Sequence, residues 1–284
     1  MKFTKYHALG NDYLVINPQE LASELTRKAI TLLCHRNFGV GSDGLLLGPL
    51  KSMRCDFGLK IFNPDGSEAE KSGNGLRIFA RWLWDEGRVG TKPFSVETDG
   101  GIVSCTVEDD GRNVTVEMGE VIFERINETI AVEDQVMTIC TASVGNPHCV
   151  VLSELPTAAL AQKYGPIIEV DPLFPNRTNV QFIRVIDRNT IQLEIWERGA
   201  GYTLASGSSS TAAAAVAYKL GLCDPDITVQ MVGGEIEIEL NEAFLATMRG
   251  PVIKVCNGVI ADEMFETLVT IQQHPHCGRS GRLE

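Results

Sequence analysis

Apolar and polar residues alternate in short runs along most of this chain. Residues 59–62, 94–98, 102–107, 113–118, 180–186, 191–196, 227–231 and 235–240 each follow a period of two, the pattern of a strand with one buried face. Helical spacing is rarer. It governs 19–35, where E-L-T-R-K-A-I-T-L-L-C repeats apolar residues along one helix face, and it predicts further helices at 76–86, 157–163, 209–220 and 262–271. The balance predicts an α+β fold in which strands outnumber helices.

The pattern also repeats. The run S-G-N-G-L-R-I-F-A-R-W-L-W (72–84) is followed by F-S-V-E-T-D-G-G-I-V-S-C-T-V (94–107), and S-G-S-S-S-T-A-A-A-A-V-A-Y-K-L-G (206–221) by I-T-V-Q-M-V-G-G-E-I-E-I-E-L (227–240). Both read serine, glycine, helix, strand, glycine pair, strand, and they close on V-T-V-E-M-G-E-V (114–121) or L-A-T-M-R-G-P-V (245–252). An internal repeat of this kind means one supersecondary unit built twice. Two pseudo-symmetric α/β domains of similar fold follow.

Length agrees, since 284 residues exceed the usual single-domain size. The expected division is 1–120, 121–266 and a polar, turn-rich tail at 267–284, with the crossing between halves inside 121–145. Composition narrows the function classes. The 44% hydrophobic and 22% charged fractions suit a soluble globular protein, and no apolar run nears the roughly 20 residues that span a bilayer. A net charge of −12 disfavours nucleic acid and anionic membranes as partners, leaving a small polar molecule. The N-terminus lacks a signal-peptide pattern, so a cytoplasmic location is expected. Eight cysteines lack C-x-x-C spacing, which predicts reduced thiols and no metal site.

Several motifs are set aside on physical grounds. G-V-G-S-D-G (39–44) matches a dinucleotide fingerprint in letters, but a helical pattern precedes it and an apolar run follows, the reverse of the strand-to-helix order that fingerprint needs. His274, His276 and Cys277 fall in the Pro/Gly-rich tail and read as solvated surface. Neither repeated serine lies in a G-x-S-x-G or S-x-x-K hydrolase motif.

The two serines admit two readings. Serine is a preferred N-cap and each precedes a helix, so capping alone would explain them. If both helix starts face one ligand, their unpaired N–H groups and dipoles form a carboxylate clamp. A clamped carboxylate also stabilises the charge that builds as its α-proton leaves. Inversion at that carbon then needs a proton-transfer group on each face, which pseudo-symmetric halves supply.

With H-A-L-G-N-D-Y (7–13), N-P-D-G-S-E-A-E-K-S-G-N-G-L-R (63–77), G-N-P-H (145–148), N-R-T-N-V (176–180) and W-E-R-G-A-G (196–201), the chain resembles the diaminopimelate epimerase family over nearly its whole length. The resemblance implies an active site in the cleft between the two domains and cofactor-independent conversion of LL- to meso-diaminopimelate on the lysine and peptidoglycan precursor route, and family members are often dimers. It places Asn11, Asn63, Asn146, Asn179, Glu197 and Arg198 where the family holds its substrate. Gly73, Asn74, Gly207 and Ser208 fall where donors cradle the α-carboxylate, and His148 and Glu197 where residues tune the two bases. Ser72 and Ser206 occupy the positions of the family's two catalytic cysteines. That change is chemically large, because a thiol ionises near pH 8.5 (about that value in peptides) whereas a serine hydroxyl needs a neighbouring base.

Lys71, Tyr202 and Ser208–Ser210 also depart from the family pattern, which points to a divergent branch rather than an engineered pair of cysteine-to-serine changes. Three readings stay open on the sequence: a serine-based epimerase, an amino-acid-binding protein that no longer inverts, and a lyase or isomerase in which Tyr202 replaces one acid–base group. Cys149, beside His148, is a further conceivable base, but adjacent strand residues point to opposite faces.

Overall fold

The computed structural model describes residues 1–265 apart from 22, 109 and 134. Most of the expected helix at 262–271 and the tail with His274, His276 and Cys277 lie outside the described residues. The first half of the chain runs β1 (Lys2–Ala8), β2 (Asn11–Ile16), α1 (Arg27–Cys34), β3 (Leu45–Leu50), β4 (Phe57–Phe62), β5 (Glu68–Ala69), α2 (Gly73–Asp85), β6 (Phe94–Thr98), β7 (Gly101–Val107), β8 (Asn113–Glu120) and β9 (Ile122–Val132). The second runs β10 (Gln135–Ser143), β11 (Pro147–Leu152), α3 (Ala158–Glu169), β12 (Asn179–Asp187), β13 (Thr190–Glu197), β14 (Gly201–Thr203), α4 (Gly207–Lys219), β15 (Asp226–Met231), β16 (Gly234–Leu240), β17 (Leu245–Pro251) and β18 (Ile253–Val259).

The repeat is complete at the level of strand pairing. In the first half β1–β2, β3–β4, β4–β5, β6–β7 and β7–β8 are antiparallel and β2–β3 and β4–β6 parallel. In the second half β10–β11, β12–β13, β13–β14, β15–β16 and β16–β17 are antiparallel, with β11–β12 and β13–β15 parallel. The helices α1 and α3 lie in the first parallel crossover of each half, α2 and α4 in the second. The remaining strands tie the halves together: β9 pairs with β10, β18 returns to β1, and β8 pairs with β17 from Asn113↔Pro251 to Glu120↔Leu245. The fold is α+β with two similar halves sharing backbone hydrogen bonds.

All eight strands read from alternation form. The expected helix at 19–35 forms only in part. Asn17 caps a short 3₁₀ turn at Pro18–Glu20, and Thr26 then caps a fresh helix by accepting from Ala29 N–H at 3.2 Å, so α1 begins at Arg27. The expected crossing at 121–145 is the long hairpin of β9 and β10, whose burial alternates poorly because much of β9 is exposed. Its weak alternation hid it.

The largest core cluster spans both halves. It takes Leu76, Ile78, Phe79, Trp82 and Leu83 from α2 and Ala212–Ala217 from α4. The halves therefore meet on apolar surface, with the N-termini of α2 and α4 at the edge of that contact.

Candidate active site

Both repeated serines are helix caps. Ser72 and Ser206 are extended, at φ −139°, ψ 117° and φ −145°, ψ 126°, and their side chains accept from Gly75 N–H at 3.0 Å and Ser209 N–H at 3.4 Å. Capping is nevertheless half of their geometry. A Cβ on Gly73 would lie 3.3 Å from Gly207 Cα, and one on Gly207 would lie 3.3 Å from Gly73 Cα and 2.7 Å from Met248 Sδ. Glycine at both positions lets the two helix starts touch. Among the described residues, the N–H groups of Gly73, Asn74, Gly207 and Ser208 have no protein acceptor, and the positive dipole ends of two helices meet there.

This junction opens into one cleft of about 940 Å³. Asn11, Asn63, Ser72, Gly73, Asn74, Asn146, Asn179, Glu197, Arg198, Ser206, Gly207 and Ser208 all line it, so every sequence-derived site residue but one is brought together. The exception is His148. It is 1% exposed on β11, does not border the cleft, and its Nε2 lies 3.0 Å from Asn146 Oδ1. A carbonyl oxygen only accepts, so the ring donates there, and burial holds His148 neutral by lowering its pKa to about 3. It is placed to aim Asn146 rather than to touch a ligand.

The two hydroxyls have different neighbours. Ser72 Oγ is 3.2 Å from the phenolic oxygen of Tyr13. Ser206 lies beside the Glu197 carboxyl, which accepts from Thr203 Oγ1 at 3.4 Å; burial raises the Glu197 pKa and the nearby Ser206 and Thr203 hydroxyls partly pull it back. A buried carboxylate with a raised pKa is a competent base. Each serine hydroxyl thus has a different titratable neighbour, a phenol at Ser72 and a carboxyl at Ser206.

Tyr202, expected as a replacement acid or base, borders the cleft but its hydroxyl donates to Glu194 Oε2 at 2.7 Å, and burial and that carboxylate push its pKa up to about 12. Its proton is committed away from both serines. Cys149 is fully buried in the α3-side core with its pKa raised by desolvation, so it supplies no thiolate. Lys71 turns its ammonium to the carbonyl of Met118 at 2.7 Å.

The asparagines divide into brackets and free donors. Asn74 Nδ2 donates to Asn11 Oδ1 at 3.0 Å and to Ala205 O at 3.1 Å, while its Oδ1 accepts from Arg77 at 2.6 Å. That side chain therefore links the halves and leaves its backbone N–H to a ligand. Asn179 similarly donates to Pro147 O at 2.9 Å and accepts from Arg198 N–H at 3.0 Å, fixing the two loops that carry Asn146 and Arg198. Arg77 is fully buried, has no carboxylate partner among the described residues, and reaches Gly250 of the second half, where a Cβ would sit 1.8 Å from its Nη1. Burial lowers its pKa only to about 10, so it stays cationic beneath the paired helix starts.

Sequence reasoning missed Tyr13, Asp43 and Thr203 in this wall. Tyr13 had a signal, because Asn11 and Tyr13 are two apart on β2 and share a face. Asp43 had none: it comes from the rejected G-V-G-S-D-G segment, which is a helix-to-strand loop and accepts from Asn11 Nδ2 at 3.2 Å.

The diaminopimelate epimerase family model matches residues 3–124 and 140–255. Diaminopimelate epimerase 2 of Nostoc sp. is 58% identical over 285 residues, covering 95% of this chain and all (100%) of that protein. The diaminopimelate epimerase of Alkaliphilus metalliredigens is 36% identical, covering 94% and 99%. Among solved structures, a hydroxyproline epimerase from Agrobacterium vitis superposes with a TM-score of 0.69 at 17% identity, covering 91% of each chain. A PhzF-family phenazine biosynthesis protein from Bacillus anthracis does so with 0.70 at 16%, covering 92% and 99%. At those identities the last two show the shared fold alone.

Proposed function

The chain belongs to the diaminopimelate epimerase family, and on that premise we propose that its cleft interconverts LL- and meso-diaminopimelate with Ser72 and Ser206 as the two proton-transfer positions. The observation that carries the proposal is the contact of Gly73 with Gly207, which aims two helix N-termini into one cleft flanked by those two hydroxyls.

In this reading the substrate α-carboxylate lies against the N–H groups of Gly73, Asn74, Gly207 and Ser208. The paired dipoles and the buried Arg77 cation stabilise the negative charge that spreads onto the carboxylate as the α-proton leaves. Ser206 takes that proton from one face while passing its own to Glu197, and Ser72 returns a proton on the other face; run backwards, the roles exchange. Asn63, Asn146 and Arg198 hold the rest of the zwitterion, with His148 aiming Asn146. Both signs of charge at the cleft, Arg198 and Arg36 against Glu197 and Asp43, suit such a ligand. The reaction needs no electron-sink cofactor and no metal in this scheme. Among the described residues no helix is long and apolar enough to cross a membrane; a cytoplasmic homodimer acting on the free amino acid completes the proposal.

Proton NMR of the purified protein with LL-diaminopimelate in heavy water tests it. The α-hydrogen signal is expected to disappear while the meso isomer accumulates; an undiminished signal would contradict the assignment.

A further inference from the structure

Resting on the epimerase reading above, we propose that Tyr13 is the proton-relay partner of Ser72, as Glu197 is of Ser206, so that each hydroxyl is driven by a different kind of acid–base group. The evidence is positional. Tyr13 projects from β2 into the cleft wall with its phenolic oxygen 3.2 Å from Ser72 Oγ. The ring is held where it is by a slot that only glycine leaves: a Cβ on Gly44 would lie 2.5 Å from Tyr13 Cε1 and 2.7 Å from Phe62 O.

Either oxygen can donate in this pair, and the hydrogen-bond inventory permits the direction the relay needs. Ser72 Oγ has one proton and two acceptor positions, and Gly75 N–H fills one of these at 3.0 Å. When the phenol donates to the other, the serine proton is free to face the substrate. Tyr13 O–H, Ser72 O–H and the α-carbon then form a chain. As the carbanion is protonated, the new C–H bond forms with the Ser72 proton, the Tyr13 proton passes to Ser72 Oγ, and a phenolate remains. The reverse passage returns both protons and regenerates the phenol. No electron changes hands.

The two sides of the site are coupled. Burial is the main obstacle to ionisation of Tyr13; the hydrogen bond with Ser72 eases it, and the charges of Glu197 and Asp43 add to the obstacle. Once Glu197 has accepted the proton drawn through Ser206, its share of that obstacle is removed and Tyr13 releases its own proton more readily. One negative charge is thereby shared between carboxylate and phenol, and passes from one to the other as the α-carbon inverts. Tyr202, the other phenol at the cleft, has no such relation to a serine, because Glu194 holds its proton.

The test uses Tyr13→Phe, Ser72→Cys and the double variant, with steady-state kinetics and α-hydrogen exchange in heavy water. Tyr13→Phe should lower kcat by on the order of 100-fold or more with KM nearly unchanged. It should also still wash out the α-hydrogen of the one diastereomer that presents it to Ser206. Because a thiol supplies its own acid–base group, Ser72→Cys should make Tyr13 dispensable, so the double variant should invert within about tenfold of Ser72→Cys alone. Tyr13→Phe inverting at the unaltered rate would overturn the relay while leaving the epimerase reading intact. A double variant as slow as Tyr13→Phe would overturn it too. No inversion or exchange by the unaltered protein would overturn both.

Discussion

The helices α2 and α4 begin with the same serine–glycine step and solve the packing problem in opposite ways. Beyond its first turn α2 is built from Leu76, Arg77, Ile78, Phe79, Trp82 and Leu83, large side chains that fill the space beneath the first half's strands. The matching stretch of α4 is serine, threonine and alanine apart from Val216, and Ser209 to Ala217 are all fully buried. A helix of small residues brings its backbone close to the strands around it, so α4 is fixed by close approach and α2 by interdigitation. The same contrast holds at their caps, where one hydroxyl meets a phenol and the other a carboxylate. Pseudo-symmetry therefore fixes where the two groups stand and leaves the chemistry of each side to its neighbours.

The largest effect expected from breaking this asymmetry is at the carboxylate. Glu197→Gln keeps the shape of the Ser206 side and removes its base, so kcat should fall by roughly 100- to 10,000-fold. Tyr202→Phe, at the same cleft but bound to Glu194, should change kcat by less than about twofold. Because the Glu197 pKa is raised by burial, the acid limb of the kcat/KM profile should lie above the ordinary carboxylate value of about 4.3, activity falling as pH drops through it.

Packing comes next. Leu76→Ala in α2 should cost about 2–5 kcal/mol through the cavity it leaves. In α4 the damaging change runs the other way, and Ala213→Leu should cost about 1–3 kcal/mol by overfilling a site with no room. Urea denaturation of the two variants measures both, and a tolerant Ala213→Leu would contradict close approach.

A smaller effect separates the halves by pH. His148 belongs to the second half, and its folded pKa of about 3 lies below the ordinary 6.5. The unfolded chain therefore binds its proton first, so the native state keeps its full stability above pH 6.5 or so and loses some as pH falls from there toward 3. His148→Gln should flatten that part of the stability–pH curve. The smallest effect is at the caps themselves: Ser72→Asn and Ser206→Asn keep a capping side chain and should cost under about 1 kcal/mol, while ending turnover. Stability and activity dissociate there only if the serines do more than cap.

Much of this was legible in the sequence because it is written twice. Ser72 and Ser206, the glycines after them and the strand–glycine pair–strand that follows each are local signals, and they led to the two-domain fold and the paired helix starts; the cleft and the rest of its lining, Asn11, Asn63, Asn146, Asn179, Glu197 and Arg198, came from the family resemblance. β2 was not read because it is buried almost throughout and so does not alternate, and β1 and the β9–β10 hairpin because exposed or half-exposed positions break their alternation. Which serine neighbours which acid–base group was equally hidden, since Tyr13 lies 59 residues from Ser72 and no periodicity links them. His148 was placed among the reacting groups by resemblance alone; its burial behind Asn146 is a tertiary fact. Tyr202 drew notice as a departure from the family pattern, yet the phenol that meets a serine closes the H-A-L-G-N-D-Y motif, from which only Asn11 was drawn.

The most direct test of a two-faced serine site is α-hydrogen exchange by Ser72→Ala and Ser206→Ala, each given LL- and meso-diaminopimelate in heavy water. Both variants should lose inversion, and each should still exchange deuterium into one diastereomer without inverting it, the two variants favouring opposite diastereomers. Inversion surviving in either variant, or both variants labelling the same diastereomer, would contradict the account.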